Sequence, residues 1–166
     1  DLNYTETRDA LKAGKHVIVE KPMAANRREG PEMVRLAKKH GGLVTMVAEN
    51  FRYMPTFLRM KKVLDSGDLG EVYAAHWNAF AEMNPKTSPY AKTSWRVNHQ
   101  FPGGFLTDGG VHFIHAIRFL FGEITTVRST TKSVNPKIGK LDTHLMQYET
   151  DRGVAGTLQH HFTSRG

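Results

Sequence analysis

The sequence contains no cysteine. That excludes disulfides, thiolate zinc sites and a cysteine nucleophile. It has no apolar run long enough to span a bilayer and no basic-then-apolar segment at its start. The expectation is a cytoplasmic protein with no membrane contact. There is no internal repeat and no low-complexity stretch. No region concentrates charge of one sign either. The net charge of +7 is spread evenly, with thirteen Lys/Arg against nine Asp/Glu in residues 1–70 and ten against seven in residues 71–166. Basic residues cluster only as the pairs Arg27-Arg28, Lys38-Lys39 and Lys61-Lys62, which on helices make solvated faces. Nucleic acid is therefore not an expected partner. A modest positive balance suits attraction of an anionic cofactor or substrate. A G-x-G-x-x-G stretch is also missing, and the chain opens on helix-forming residues. A dinucleotide-binding domain begins with a strand and a glycine-rich turn. The expectation is an internal piece of something larger.

What is present divides into two characters. Residues 5–14 predict a helix ending at Gly14, and 16–20 (HVIVE) predict a strand buried on both faces. Residues 26–40 predict a second helix, begun either by an Asn26/Glu29 capping box or by Pro31 at its first position. LVTMVA, residues 43–48, predicts a second strand. Helix, strand, helix, strand points to βαβ units and a parallel sheet. From about residue 50 the pattern changes. A helix is expected over 55–66, a strand over 71–81, a loop over 82–104 and a helix over 105–121. Strands follow near 124–134, 141–149 and 154–163, with Asp151-Arg152-Gly153 as a hairpin turn. This part reads as α+β with an open, largely antiparallel sheet.

Two places could carry chemistry. In the helix over 105–121, Asp108 and His112 are four apart and share a face, with His115 near the same stripe. A carboxylate beside an imidazole orients the ring and raises its basicity. Gly109 and Gly110 between them are costly in a helix unless something approaches the backbone closely. The competing reading has Asp108 capping a helix that starts near Thr107, with His112 in a core. A metal held by Asp108, His112 and His115 is a weaker option, and no metal is expected. His160-His161 sits on a strand, so its two rings face opposite ways and cannot share an ion. The second place is Glu20-Lys21-Pro22, just past the strand. Ligands of parallel sheets bind beyond the carboxyl ends of the strands, and Lys21 there could donate as a cation. Pro22 fixes the turn, with a cis bond as one option. The plainer alternative is a surface Glu20–Lys21 ion pair of little energetic weight.

The stretch AGKHVIVEKP followed downstream by GGFLTDGGVH resembles the Gfo/Idh/MocA oxidoreductases, relatives of glucose–fructose oxidoreductase and inositol dehydrogenase. Residues 50–70 resemble that family's link into its second domain, and the TSWR…GGFLTDGGVH wording is similar to a fungal, NADP-dependent subgroup. The resemblance implies an α/β architecture. Residues 1–49 would be the C-terminal part of a Rossmann domain, and residues 50–166 an incomplete substrate and oligomerisation domain. It implies hydride transfer between NAD or NADP, with NADP favoured by the fungal likeness, and a sugar, polyol or related carbonyl. Lys21 would contact the nicotinamide ribose and the substrate hydroxyl, and Glu20 and Pro22 would shape the nicotinamide pocket. His112 would be the general base and Asp108 would orient substrate or imidazole. Trp95 and Arg96 are candidate substrate contacts, unless they only stack on each other. The active site would lie between two domains, and the free face of the second sheet would build a homo-oligomer. Many relatives carry an aspartate where His115 stands. A non-catalytic nucleotide- or sugar-binding regulator on the same fold is the alternative, and the piece alone is expected to be inactive.

Overall fold

The computed structural model describes residues 2–84, 86–93, 96 and 103–163. By its internal contacts the chain divides into two compact units, Asp1–Glu49 and Asn50–Gly166.

The first unit contains α1 (Asn3–Lys12), β1 (Val17–Val19), α2 (Glu29–Lys39) and β2 (Thr45–Val47). The two strands pair in parallel, with Val17 opposite Thr45 and Val19 opposite Val47. Parallel pairing needs a crossover, and α2 supplies it. Leu11 of α1 and Met33 of α2 are buried and form the apolar interior of the unit. The second helix starts three residues later than the sequence suggests. Asn26 Oδ1 accepts from the backbone N–H groups of Arg28 (3.0 Å) and Glu29 (3.1 Å). Glu29 Oε2 in return accepts from the N–H of Ala25 (3.3 Å). Asn26 and Glu29 are thus joined, but around a turn ahead of the helix and not as a capping box, because Glu29 takes the Ala25 N–H and the Asn26 side-chain amide (2.9 Å) and not the Asn26 backbone N–H; Pro31 lies inside the first turn rather than at its start.

The second unit runs from a 3₁₀ turn (Asn50–Tyr53) into α3 (Pro55–Ser66), β3 (Ala74–Phe80) and a 3₁₀ turn (Tyr90–Lys92). It continues through α4 (Gly104–Phe121), β4 (Ile124–Lys132), a 3₁₀ turn (Pro136–Ile138), β5 (Thr143–Thr150) and β6 (Ala155–His161). Helix α3 covers the predicted 55–66. Pro55 opens it, where a missing N–H costs nothing, and Gly67 closes it at φ 78°. The sheet order is β3-β6-β5-β4, with β3 and β6 parallel and the other neighbours antiparallel. The β5–β6 hairpin turns at 151–153, where Gly153 has φ 77° and donates its N–H to the Thr150 carbonyl (3.0 Å).

Alternation along the strands decides which face is covered. Met146, Tyr148 and Leu158 pack with Ile117 of α4, while their neighbours Leu145, Gln147 and Gln159 are exposed. Helix α4 is buried through Phe105, Gly110, Ala116, Ile117 and Leu120. Phe57 of α3 packs with Ala116 and Leu120. A separate cluster joins Ala91, Phe105, Ile138 and Phe162. It ties the irregular segments to the start of α4. Asp142 is fully buried and closes the β4–β5 connection. Its carboxylate accepts from the N–H groups of Val134 (2.9 Å) and Asn135 (2.6 Å) and from the Thr143 hydroxyl (2.9 Å).

Candidate active site

In the first unit, the segment after β1 is held by a residue the sequence did not mark. Asn3, at the start of α1, donates its Nδ2 amide to the carbonyl oxygens of Glu20 (2.9 Å) and Pro22 (3.0 Å). This strap on both sides of Lys21 fixes the backbone that presents it. The Lys21-Pro22 bond is cis, the option left open for that proline. Glu20 is exposed, and its carboxylate accepts from the Lys21 N–H (3.3 Å). Lys21 is half-buried. Glu49, just past the parallel neighbour β2, is buried to 6% exposure. Nothing in the order of residues singles out Asn3 or Glu49. Only the fold brings Asn3 to Glu20 and Pro22.

In the second unit, α4 begins at Gly104, so Asp108 lies in its second turn and does not cap it. One turn further on, His112 shares its face by helical spacing. The contacts of the two differ. Asp108 Oδ2 accepts from Arg96 Nε at 2.8 Å, and both side chains are about one-sixth exposed (15% and 16%). The Arg96 guanidinium lies over the Tyr90 ring (5.1 Å) and donates through Nη1 to Thr93 Oγ1 (3.2 Å). The irregular segment is thereby latched to α4 one turn ahead of His112. The predicted substrate contact Trp95 lies outside the described residues. His112 stacks on Phe51, with ring centroids 4.6 Å apart and planes 19° apart. His115 stacks on Phe119 (6.2 Å, 10°). Among the described residues no group of three His, Asp or Glu side chains could hold a metal ion.

Of the two adjacent glycines that follow Asp108, Gly109 has a structural cause. A Cβ on Gly109 would stand 2.6 Å from Cζ of Phe162, so the close approach foreseen there comes from the protein's own core. The ring of His160 packs against Phe113 (4.6 Å) and Phe162 (4.4 Å) and is 1% exposed. Burial, with His144 and His161 nearby, pushes its pKa down to about 4. It is a neutral core ring. His161 faces the other way and stacks on Phe80 (5.1 Å), as strand alternation requires.

For a nicotinamide cofactor the test is which donors these residues offer. The strapped loop presents Lys21 past the carboxyl end of a parallel strand, where ligands of such sheets bind. No G-x-G-x-x-G occurs to cradle a pyrophosphate.

The model of the GFO/IDH/MocA C-terminal domain matches residues 57–166. That of the oxidoreductase family with NAD-binding Rossmann fold matches residues 1–48. An uncharacterized protein of Saccharomyces cerevisiae is 37% identical over 133 residues, 80% of this chain and 37% of that protein. A scyllo-inositol 2-dehydrogenase (NADP(+)) of Bacillus subtilis is 34% identical over 121 residues, 73% of this chain and 32% of its own. An oxidoreductase of Thermotoga maritima superposes with a TM-score of 0.92 at 33% identity, over 99% of this chain and 50% of that one. The chain thus spans about a third of the length of these two curated relatives.

Proposed function

This chain belongs to the GFO/IDH/MocA oxidoreductase family, and on that footing we propose that it is part of an NAD(P)-dependent dehydrogenase acting on a sugar or polyol. The observation that carries the reading is the built helix face with Asp108 and His112. There a carboxylate is held by Arg96 and an imidazole by an aromatic stack. What separates His112 from His160, a core histidine buried between Phe113 and Phe162, is the Arg96-held carboxylate one turn away on its own helix face.

The cofactor supplies hydride acceptance when bound, and Glu20, Lys21 and Pro22 would hold its nicotinamide end. His112 takes the proton from the substrate hydroxyl as the carbon–hydrogen bond is given up. Lys21, as a cation past the end of β1, would contact the nicotinamide ribose, the role that the family likeness implies for it. Asp108, paired with the Arg96 guanidinium, acts as an acceptor that orients and not as an acid. Arg96 works through Asp108. Its own contact with substrate is secondary in this reading.

The dehydrogenase of Bacillus subtilis carries NADP(+) in its name, which favours NADP and an inositol-like polyol. Phe80 is 57% exposed and Leu145 41% exposed on the uncovered sheet face, which suits a homo-oligomer built through that face. A cytoplasmic setting, where nicotinamide cofactors are held, goes with this reading. The test is hydride transfer by the full-length protein, followed at the reduced-nicotinamide absorbance with NADP+ or NAD+ and a panel of inositols and sugars. Turnover lost in His112→Ala is expected. Tight cofactor binding with no turnover on any polyol or carbonyl would overturn the enzyme reading. Residues 1–166 alone, without a glycine-rich turn, are expected to bind NADPH no tighter than the millimolar range, which calorimetric titration checks.

A further inference from the structure

We propose that Phe51 is a positioning residue for His112: its ring is the platform that sets the plane of the imidazole. The proposal rests on the reading of His112 as the base. Phe51 lies on the 3₁₀ turn Asn50–Tyr53, far from α4 in sequence. Its ring stacks on the imidazole at 4.6 Å and 19°. The same ring stacks on Phe57 at 4.9 Å and 23° and meets Phe113 edge-on at 5.8 Å and 81°. Phe57 is itself 6% exposed and belongs to the core of α3 and α4. Phe51 therefore cannot turn without disturbing that core, and its orientation passes to His112.

The physical need is specific. The χ2 torsion of histidine has a broad, roughly two-fold profile, so the side chain alone does not fix its ring plane. Both ring nitrogens act in that plane, and proton transfer requires in-plane alignment with the substrate oxygen. A stack covers a face of the imidazole, not its edge, so the plane is set while the nitrogens remain usable. The contact also survives the reaction. A neutral imidazole stacks on Phe51, and an imidazolium is attracted to the same aromatic face. The base can take its proton without leaving the platform.

The experiment compares Phe51→Tyr, Phe51→Leu and His112→Ala in the full-length protein, with scyllo-inositol and NADP+ as the probe pair. It adds nuclear magnetic resonance of the His112 ring in 13C-histidine-labelled protein. Tyrosine keeps the flat face, whereas leucine keeps apolar bulk without it. Phe51→Tyr is expected within about threefold of the parent in kcat. Phe51→Leu should lose about 10- to 100-fold in kcat with KM changed less than about threefold, the scale set by misplacement of a catalytic group. In Phe51→Leu the His112 ring resonance should move downfield as ring-current shielding is lost. A purely structural role predicts leucine as good as tyrosine, and that result, with an unmoved resonance, overturns the platform. If His112→Ala abolishes turnover while Phe51→Leu is unimpaired, this proposal alone fails. If His112→Ala keeps full turnover, the base assignment fails and the platform with it.

Discussion

Gly109 and Gly110 are adjacent in α4, yet alanine should act on them in opposite directions. Each glycine costs about 1 kcal/mol in a helix interior relative to alanine. At Gly110 the added Cβ would lie 3.6 Å from His160 Nδ1 and 3.8 Å from Cε1, ordinary packing distances. Gly110→Ala should therefore keep the propensity gain and stabilise by about 0.5–1 kcal/mol. At Gly109 the Cβ would lie 2.6 Å from Phe162 Cζ. That ring is 4% exposed and packed with Phe105 and Ile138, so it cannot move aside freely. Overpacking of this kind costs about 1–3 kcal/mol. Set against the same propensity gain, Gly109→Ala should destabilise by about 0–2 kcal/mol. The two variants should differ by about 2 kcal/mol, in a fixed order. Urea unfolding followed by tryptophan fluorescence reports on the right unit, because Trp77 and Trp95 both belong to residues 50–166. The background Phe162→Ala isolates the cause, since there Gly109→Ala should become stabilising. Equal effects of the two alanines, or a Gly109→Ala penalty unchanged without the Phe162 ring, would refute the steric argument.

Three further outcomes follow from the same structure. The depressed pKa of His160, about 4 against an ordinary 6.5, means that the unfolded chain binds the extra proton between those values. Stability is full above about pH 6.5 and falls by about 3 kcal/mol as pH drops toward 4; urea midpoints for His160→Phe should show a flatter slope across that window. Asp142→Asn removes the charge from a carboxylate that three donors share, and should cost about 2–4 kcal/mol in the same unfolding assay. Arg96→Gln removes the guanidinium partner of the largely buried Asp108 and should cost about 2 kcal/mol; Arg96→Lys should recover only part, lacking the fork that reaches Asp108 and Thr93 together, as thermal midpoints would show.

Features that depend on near neighbours along the chain were legible before any folding. Pro55 and Gly67 bound α3, and alternation marks β5 and β6 as strands with one covered face. The spacing of Asp108 and His112 puts both on one side of α4, and the same local logic set His160 and His161 on opposite faces. It did not reach contacts between elements. Asn26 and Glu29 were legible as a pair, but not as a turn standing before the helix. The strap from Asn3, the latch from Arg96 to Asp108 and the stack of Phe51 on His112 each join residues remote in the chain. So does the ring of Phe162 over Gly109. Periodicity and capping act over three or four residues, and they report which way a side chain faces. What meets that side chain is decided when helices and strands pack, and only the tertiary structure brings those partners together.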